Sequence, residues 1–256
     1  PFCYNMYPME KDGLIISEPV GITYHVIPET DSICIDEIAE LQYNDSAFYI
    51  PAYIEGKPVT QLGSGKPVIP KNRYSYIYIP ETLKVIGDYA FMNCISFNGL
   101  SWYSSENLKL EHIGLEAFYG TGWQNSAESY GNTLSVLNIL YRCFSRNAEY
   151  KVSDYYTVIS ADAFARNKSL EEIVLPDTLT KIEEGAFYDC TSLTSIEIPD
   201  SVVSIGNGAF VDCTALESAK LGSGLTEIGE DIFEGCTALK TIDAPAGSKA
   251  AEFFGN

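Results

Sequence analysis

A small or branched aliphatic residue followed by phenylalanine recurs along this chain at a fixed interval. Ala163-Phe164, Ala186-Phe187, Ala209-Phe210 and Ile232-Phe233 lie 23 residues apart three times running. Such a period marks a repeat architecture, in which one unit cannot bury its apolar face alone and stacking supplies the neighbour. Other columns keep the same step. Leu170, Leu193, Leu216 and Leu239 align, as do Ile173, Ile196, Ala219 and Ile242, then Leu175, Ile198, Leu221 and Ala244. Leu179, Val202 and Leu225 follow, and Ile182, Ile205 and Ile228 stand four residues before each pair.

Apolar positions alternate in steps of two, as in Ile196-Glu197-Ile198, which suits a pleated strand and not a helical turn. Pro176, Pro199 and Pro245 directly follow the strand columns, where they would break a helix. That weighs against the competing reading, an array of amphipathic helices. Each unit is therefore expected to give one strand of about four residues to a parallel sheet, with coils about 4.8 Å apart. A turn at Pro176, Pro199 or Gly222, an apolar step and a compact turn carrying Phe complete the unit.

The pattern extends upstream with defects. Ile77-Tyr78-Ile79-Pro80-Glu81-Thr82-Leu83, running on to Ile86 and Ala90-Phe91, matches the later units, and so do Tyr150, Val152, Tyr156 and Ile159 ahead of Ala163-Phe164. Ala117-Phe118 follows the previous pair by 27 residues, and the next gap is 46, two units long with no clear Phe motif midway. Loops are expected over 101–107 and 121–132. The weakest match is Ile50-Pro51 with Val59 and Leu62, ahead of the Gly/Pro-rich run Gly63 to Pro70. Residues 1–46 do not repeat; Ile22 to Ile27 and Ile33 to Leu41 read as strands of an N-terminal β cap, which a solenoid needs to cover its open edge. The expected organisation is a cap over 1–46, irregular coils over 47–160, regular 23-residue repeats over 161–246 and a C-terminal lid over 247–256.

The units LEEIVLPDTLTKIEEGAFYDCTS and LTSIEIPDSVVSIGNGAFVDCTA resemble the BspA-type leucine-rich repeats common in surface and secreted proteins of gut and oral bacteria. The resemblance covers about residues 48 to 246, with the middle coils departing from the consensus. It implies an α/β-type repeat solenoid, a right-handed leucine-rich-repeat superhelix with a short-stranded parallel sheet. It also implies adhesion or protein binding, often as one module of a longer exported chain, and carries over no catalytic residue. A secreted or cell-surface location is expected, with any export signal removed ahead of residue 1.

Composition narrows the function classes. Sixteen basic residues against thirty-five acidic ones give a formal charge of −19, so a phosphate backbone would be repelled and nucleic acid is not an expected partner. No run of eighteen apolar residues exists, so membrane insertion by this segment is not expected either. Cys94, Cys190, Cys213 and Cys236 each stand three residues after a motif Phe, in a column shared with Thr121 and Asn167. Stacked equivalent side chains point the same way, so unbridged thiols facing a turn backbone are expected. Cys3, Cys34 and Cys143 lie outside the column, and a Cys3–Cys34 bridge within the cap stays open. Without a CxxC pair no metal site is expected, and no cofactor.

The two histidines, His25 and His112, lie near no cysteine or serine motif, so a catalytic triad is not expected. Gly63-Ser64-Gly65-Lys66 lacks the glycine spacing of a phosphate loop and is followed by Pro67. The pairs Glu171-Glu172 and Glu183-Glu184 occupy regular repeat positions and read as solvated face. The chain is thus expected to be no enzyme, and function to lie on its exposed faces.

In the regular coils the outward strand positions are Glu172, Val174, Ser195, Glu197, Ser218, Lys220, Thr241 and Asp243, mostly polar. In the matching N-terminal coil they are Tyr76 and Tyr78, with Tyr74 two residues earlier. Tyrosine combines rigid contact area with a polar tip, which suits interfaces. Tyr74, Tyr76 and Tyr78, helped by Trp123, are the candidate partner-binding residues, against the alternative that a neighbouring coil or the cap covers these rings. Three readings remain: recognition of host or neighbouring-cell proteins, carbohydrate binding, or a structural spacer.

Overall fold

The computed structural model describes residues 21–38, 47–69, 73–102 and 110–255. Cys3, the cap residues beyond Ile38 and most of the 101–107 loop lie outside them. The chain is a β-solenoid of about eight turns of ~23 residues, divided between Ser126 and Ala127 into two compact units.

In the first unit β1 (Ile22–Ile27) and β2 (Ser32–Ile38) form an antiparallel hairpin. The sheet continues in parallel through β5 (Lys57–Leu62), β7 (Val85–Ile86) and β9 (His112–Ile113), with β4 (Tyr53–Ile54) antiparallel to β5. A second sheet joins β3 (Ala47–Tyr49), β6 (Tyr76–Ile79) and β8 (Gly99–Trp102) in parallel. The helix α1 (Gly122–Ser129) straddles the division.

The second unit opens on another antiparallel hairpin, β10 (Thr133–Val136) and β11 (Ile139–Cys143). From β11 the ladder runs in parallel through β13 (Val158–Ile159), β15 (Lys181–Ile182), β17 (Ser204–Ile205) and β19 (Glu227–Ile228). On another side β12 (Glu149–Lys151) pairs β14 (Glu172–Val174), and β16 (Ser195–Glu197) pairs β18 (Ser218–Lys220) and then β20 (Thr241–Asp243). Thr194 N–H donates to the Glu171 carbonyl at 3.1 Å and joins the two sets. The helix α2 (Lys249–Phe254) follows.

Each regular coil therefore carries two short strands, where the sequence predicts one. The apolar step at Lys181-Ile182, Ser204-Ile205 and Glu227-Ile228 is itself a parallel ladder with a register of one coil. The segments between strands are turns, and among the described residues helix is confined to α1 and α2. The expected loop over 121–132 is mostly α1; Gln124 N–H donates to Thr121 Oγ1 at its start, 3.1 Å. The 46-residue gap is filled by the β10–β11 hairpin. There Cys143 N–H donates to the Ala163 carbonyl at 2.7 Å, as Phe164 N–H does to Ala186 at 2.8 Å, so Cys143 stands where a motif Phe would.

The core of each unit is organised around stacked phenylalanine rings. Phe164, Phe187 and Phe210 follow one another at 5.0 Å between centroids, nearly parallel, and Phe233 and Phe254 continue the column at 5.5 and 5.8 Å. Tyr150 stands edge-on against Phe164 at 5.4 Å, and its hydroxyl reaches Thr133 Oγ1 at 2.6 Å. In the first unit Phe91 stacks on Phe118 at 5.2 Å, and Trp123 meets Phe118 edge-on at 5.2 Å. The last ring of a stack has an electron-rich face without an equivalent neighbour, and the positive edge of another aromatic closes it. The Phe turn itself is flanked by left-handed residues two positions to either side. Asp162 and Gly185 precede, and Asn93, Asp189 and Asp212 follow, with φ between 55° and 60°. Gly, Asn and Asp accept that conformation most readily, which accounts for their recurrence in the motif.

Candidate binding surface

The sheet β3–β6–β8 sets out the first unit's aromatic residues by register. Phe48, Ile77 and Leu100 are cross-strand partners and are buried, so the alternate positions Ala47, Tyr76 and Gly99, then Tyr49, Tyr78 and Ser101, form the other face. Tyr49 and Tyr78 stack at 4.4 Å with their planes 13° apart. Tyr76 has Ala47 and Gly99 as its cross-strand partners, both too small to cover a ring, and is 46% exposed. Trp102, at the end of β8, is also exposed.

Of the four residues expected to form one surface, Tyr76 and Tyr78 share a face, Tyr74 is buried away from it and Trp123 is half-buried beside it. Tyr74 is only 3% exposed and packs on Phe48 at 5.3 Å, with the Arg73 guanidinium 5.8 Å from its ring. It precedes β6, so the strand's alternation does not extend to it. Trp123 is half-buried, edge-on to Phe97 as well as Phe118. A Cβ placed on Gly99 would lie 3.9 Å from its indole, so it reaches this sheet while its ring belongs to the stack. Tyr49 joins this face through its stack on Tyr78, and its signal in the sequence is faint, because β3 is three residues long and shows a single alternation.

The regular coils present the polar face expected of them. Glu172, Val174, Ser195, Glu197, Lys220, Thr241 and Asp243 are exposed and Ser218 is half-exposed. Lys220 bonds Glu197 at 2.5 Å and Lys240 bonds Glu217 at 2.9 Å, each one coil apart. Such exposed pairs are screened by solvent and add little to stability.

The thiols of the cysteine column face a turn backbone. Cys190, Cys213 and Cys236 donate to the carbonyls of Phe164, Phe187 and Phe210 at 3.1–3.2 Å. Thr121 donates to Phe118 and Asn167 to Ser145 from the same column position. His25 is not remote from cysteine. The β1–β2 register places it opposite Cys34, and its Nδ1 lies 2.8 Å from Asp36 Oδ2. Among the described residues no helix is long and apolar enough to cross a membrane.

No curated protein matches the chain. Among solved structures it is similar to the leucine-rich repeat protein TpLRR of T. pallidum, at 22% identity over 88% of this chain and 81% of that one, with a TM-score of 0.36. It is similar also to a leucine-rich cell surface protein of Faecalibacterium prausnitzii A2-165, at 19% identity over 93% and 77%, with a TM-score of 0.41. The pneumococcal vaccine antigen PcpA matches at 18% identity over 94% and 90%, with a TM-score of 0.38. The family model for the BspA type leucine-rich repeat region matches in six copies over residues 71–152 and 157–253. With most of its length in those copies, and with the coil geometry they require, the chain belongs to the BspA-type leucine-rich repeat family.

Proposed function

We propose that this chain is a non-catalytic recognition module of a secreted or cell-surface bacterial protein. It takes a protein partner, from a host or a neighbouring cell, on the outer face of β3–β6–β8. The observation that carries the reading is the exposed Tyr76 ring beside the stacked Tyr49–Tyr78 pair. The surface setting rests on family membership, since repeats of this type are common in surface and secreted proteins. Tyr49 and Tyr78 turn a ring face toward each other, which leaves less open aromatic face for a sugar and favours a protein contact made through edges and hydroxyls.

The double substitution Tyr76→Ser/Tyr78→Ser tests this on an array of extracellular-matrix proteins and glycans. A protein ligand of the unaltered chain should be bound about tenfold or more weakly by the variant, a loss of about 1.4 kcal/mol or more, with the circular dichroism spectrum unchanged. Unchanged affinity contradicts the assignment of the face. Binding to glycans alone supports a carbohydrate-binding module, and silence on both supports a structural spacer.

A further inference from the structure

His25, Cys34 and Asp36 form a cluster that neither the repeat nor the aromatic face explains. His25 and Cys34 are register partners across the β1–β2 hairpin, and Asp36 lies two residues along β2, on the same face. One ligand atom from each, an imidazole nitrogen, the Cys34 Sγ and a carboxylate oxygen, all lie within 4.8 Å of one another. Among the described residues it is the one such trio of histidine, cysteine and carboxylate. A tetrahedral zinc ion with bonds of about 2.0–2.3 Å sets its ligand atoms about 3.3–3.7 Å apart. Side-chain adjustments of about an ångström therefore close the trio on an ion.

We propose that His25, Cys34 and Asp36 bind a divalent transition-metal ion of zinc's character, leaving a fourth coordination position open to solvent. One sulfur, one nitrogen and one oxygen suit that class and not a hard cation such as calcium or magnesium. Surrounding groups already hold the ligands. Ser64 Oγ donates to Asp36 Oδ1 at 2.8 Å, which orients the carboxylate and leaves Oδ2 directed at His25. Cys34 is fully buried and His25 is exposed, so an ion between them sits at the boundary of core and solvent with one side open.

The purified full chain, stripped with chelator and kept reduced, is titrated calorimetrically with Zn2+ alone, and Co2+ is added separately for its absorption spectrum. One equivalent of zinc should bind, and Co2+ should give a thiolate-to-metal charge-transfer band. His25→Ala and Asp36→Asn should each weaken zinc about tenfold or more, and Cys34→Ser should abolish the band. His25 is exposed, so its alanine variant keeps the fold and remains informative if the Cys34 variant does not. Absence of binding overturns the proposal. So does affinity unchanged in His25→Ala, or a band that persists in Cys34→Ser and so belongs to another thiol.

Discussion

Each carbonyl of Phe164, Phe187 and Phe210 accepts two hydrogen bonds, one from the backbone N–H three residues on and one from a thiol a coil away. For Phe187 these are Cys190 N–H at 3.2 Å and Cys213 Sγ at 3.2 Å. The thiol supplies the buried carbonyl with a second donor, a contribution of roughly 0.5–1.5 kcal/mol for an ordinary hydrogen bond, in keeping with a polar side chain in an otherwise apolar column. The neighbouring Cys190 thiol first, and burial with it, push Cys213 from the ordinary 9.0 up to about 12. The folded state thus holds this proton more tightly than the unfolded one. The associated stability is complete below pH 9 and is lost as pH rises toward 12. Urea midpoints should fall over that range, and less steeply in Cys213→Ser; a midpoint flat with pH would contradict the linkage. Phe187, with parallel rings on both faces, should lose about 3–5 kcal/mol on change to alanine. The half-buried Phe254 at the end of the column should lose less by the same denaturant measurement.

At the scale of elements, legibility followed strand length. Columns such as Ile173, Ile196 and Ala219 were readable because each belongs to an alternating triplet repeated at a fixed step. The second ladder escaped because Lys181-Ile182 and its equivalents are two residues long and show no alternation. The helix α1 carried a readable signal, Thr121 followed three residues later by Gln124, the pattern of a capping box. The proximity of His25 to Cys34 was also recoverable. Strands meeting at Ile27 and Ser32 must place residue 25 opposite residue 34, so the hairpin register follows once its turn is located. Extending the alternation beyond β6 misplaces Tyr74, whereas the Tyr49–Tyr78 stack depends on a pairing between coils that a single repeat does not contain.

At the scale of the whole molecule, the described part of each unit contains an antiparallel hairpin whose second strand starts a parallel ladder. Along each ladder a coil is templated by the one before it. Stability in such a stack approximates a sum over neighbouring coils, and each coil is interchangeable provided the step is kept. Removing residues 187–209 joins Ala186 to Phe210 and takes out one period, while removing 187–206 takes out three residues fewer and breaks the step. Equilibrium urea unfolding of the two deletion variants, followed by far-ultraviolet circular dichroism, is the most direct test of this account. The full-period deletion should fold and unfold cooperatively, with modestly reduced stability, and the shorter deletion should lose its transition or show it at much lower urea. Equal behaviour of the two variants would contradict a stack of equivalent 23-residue coils.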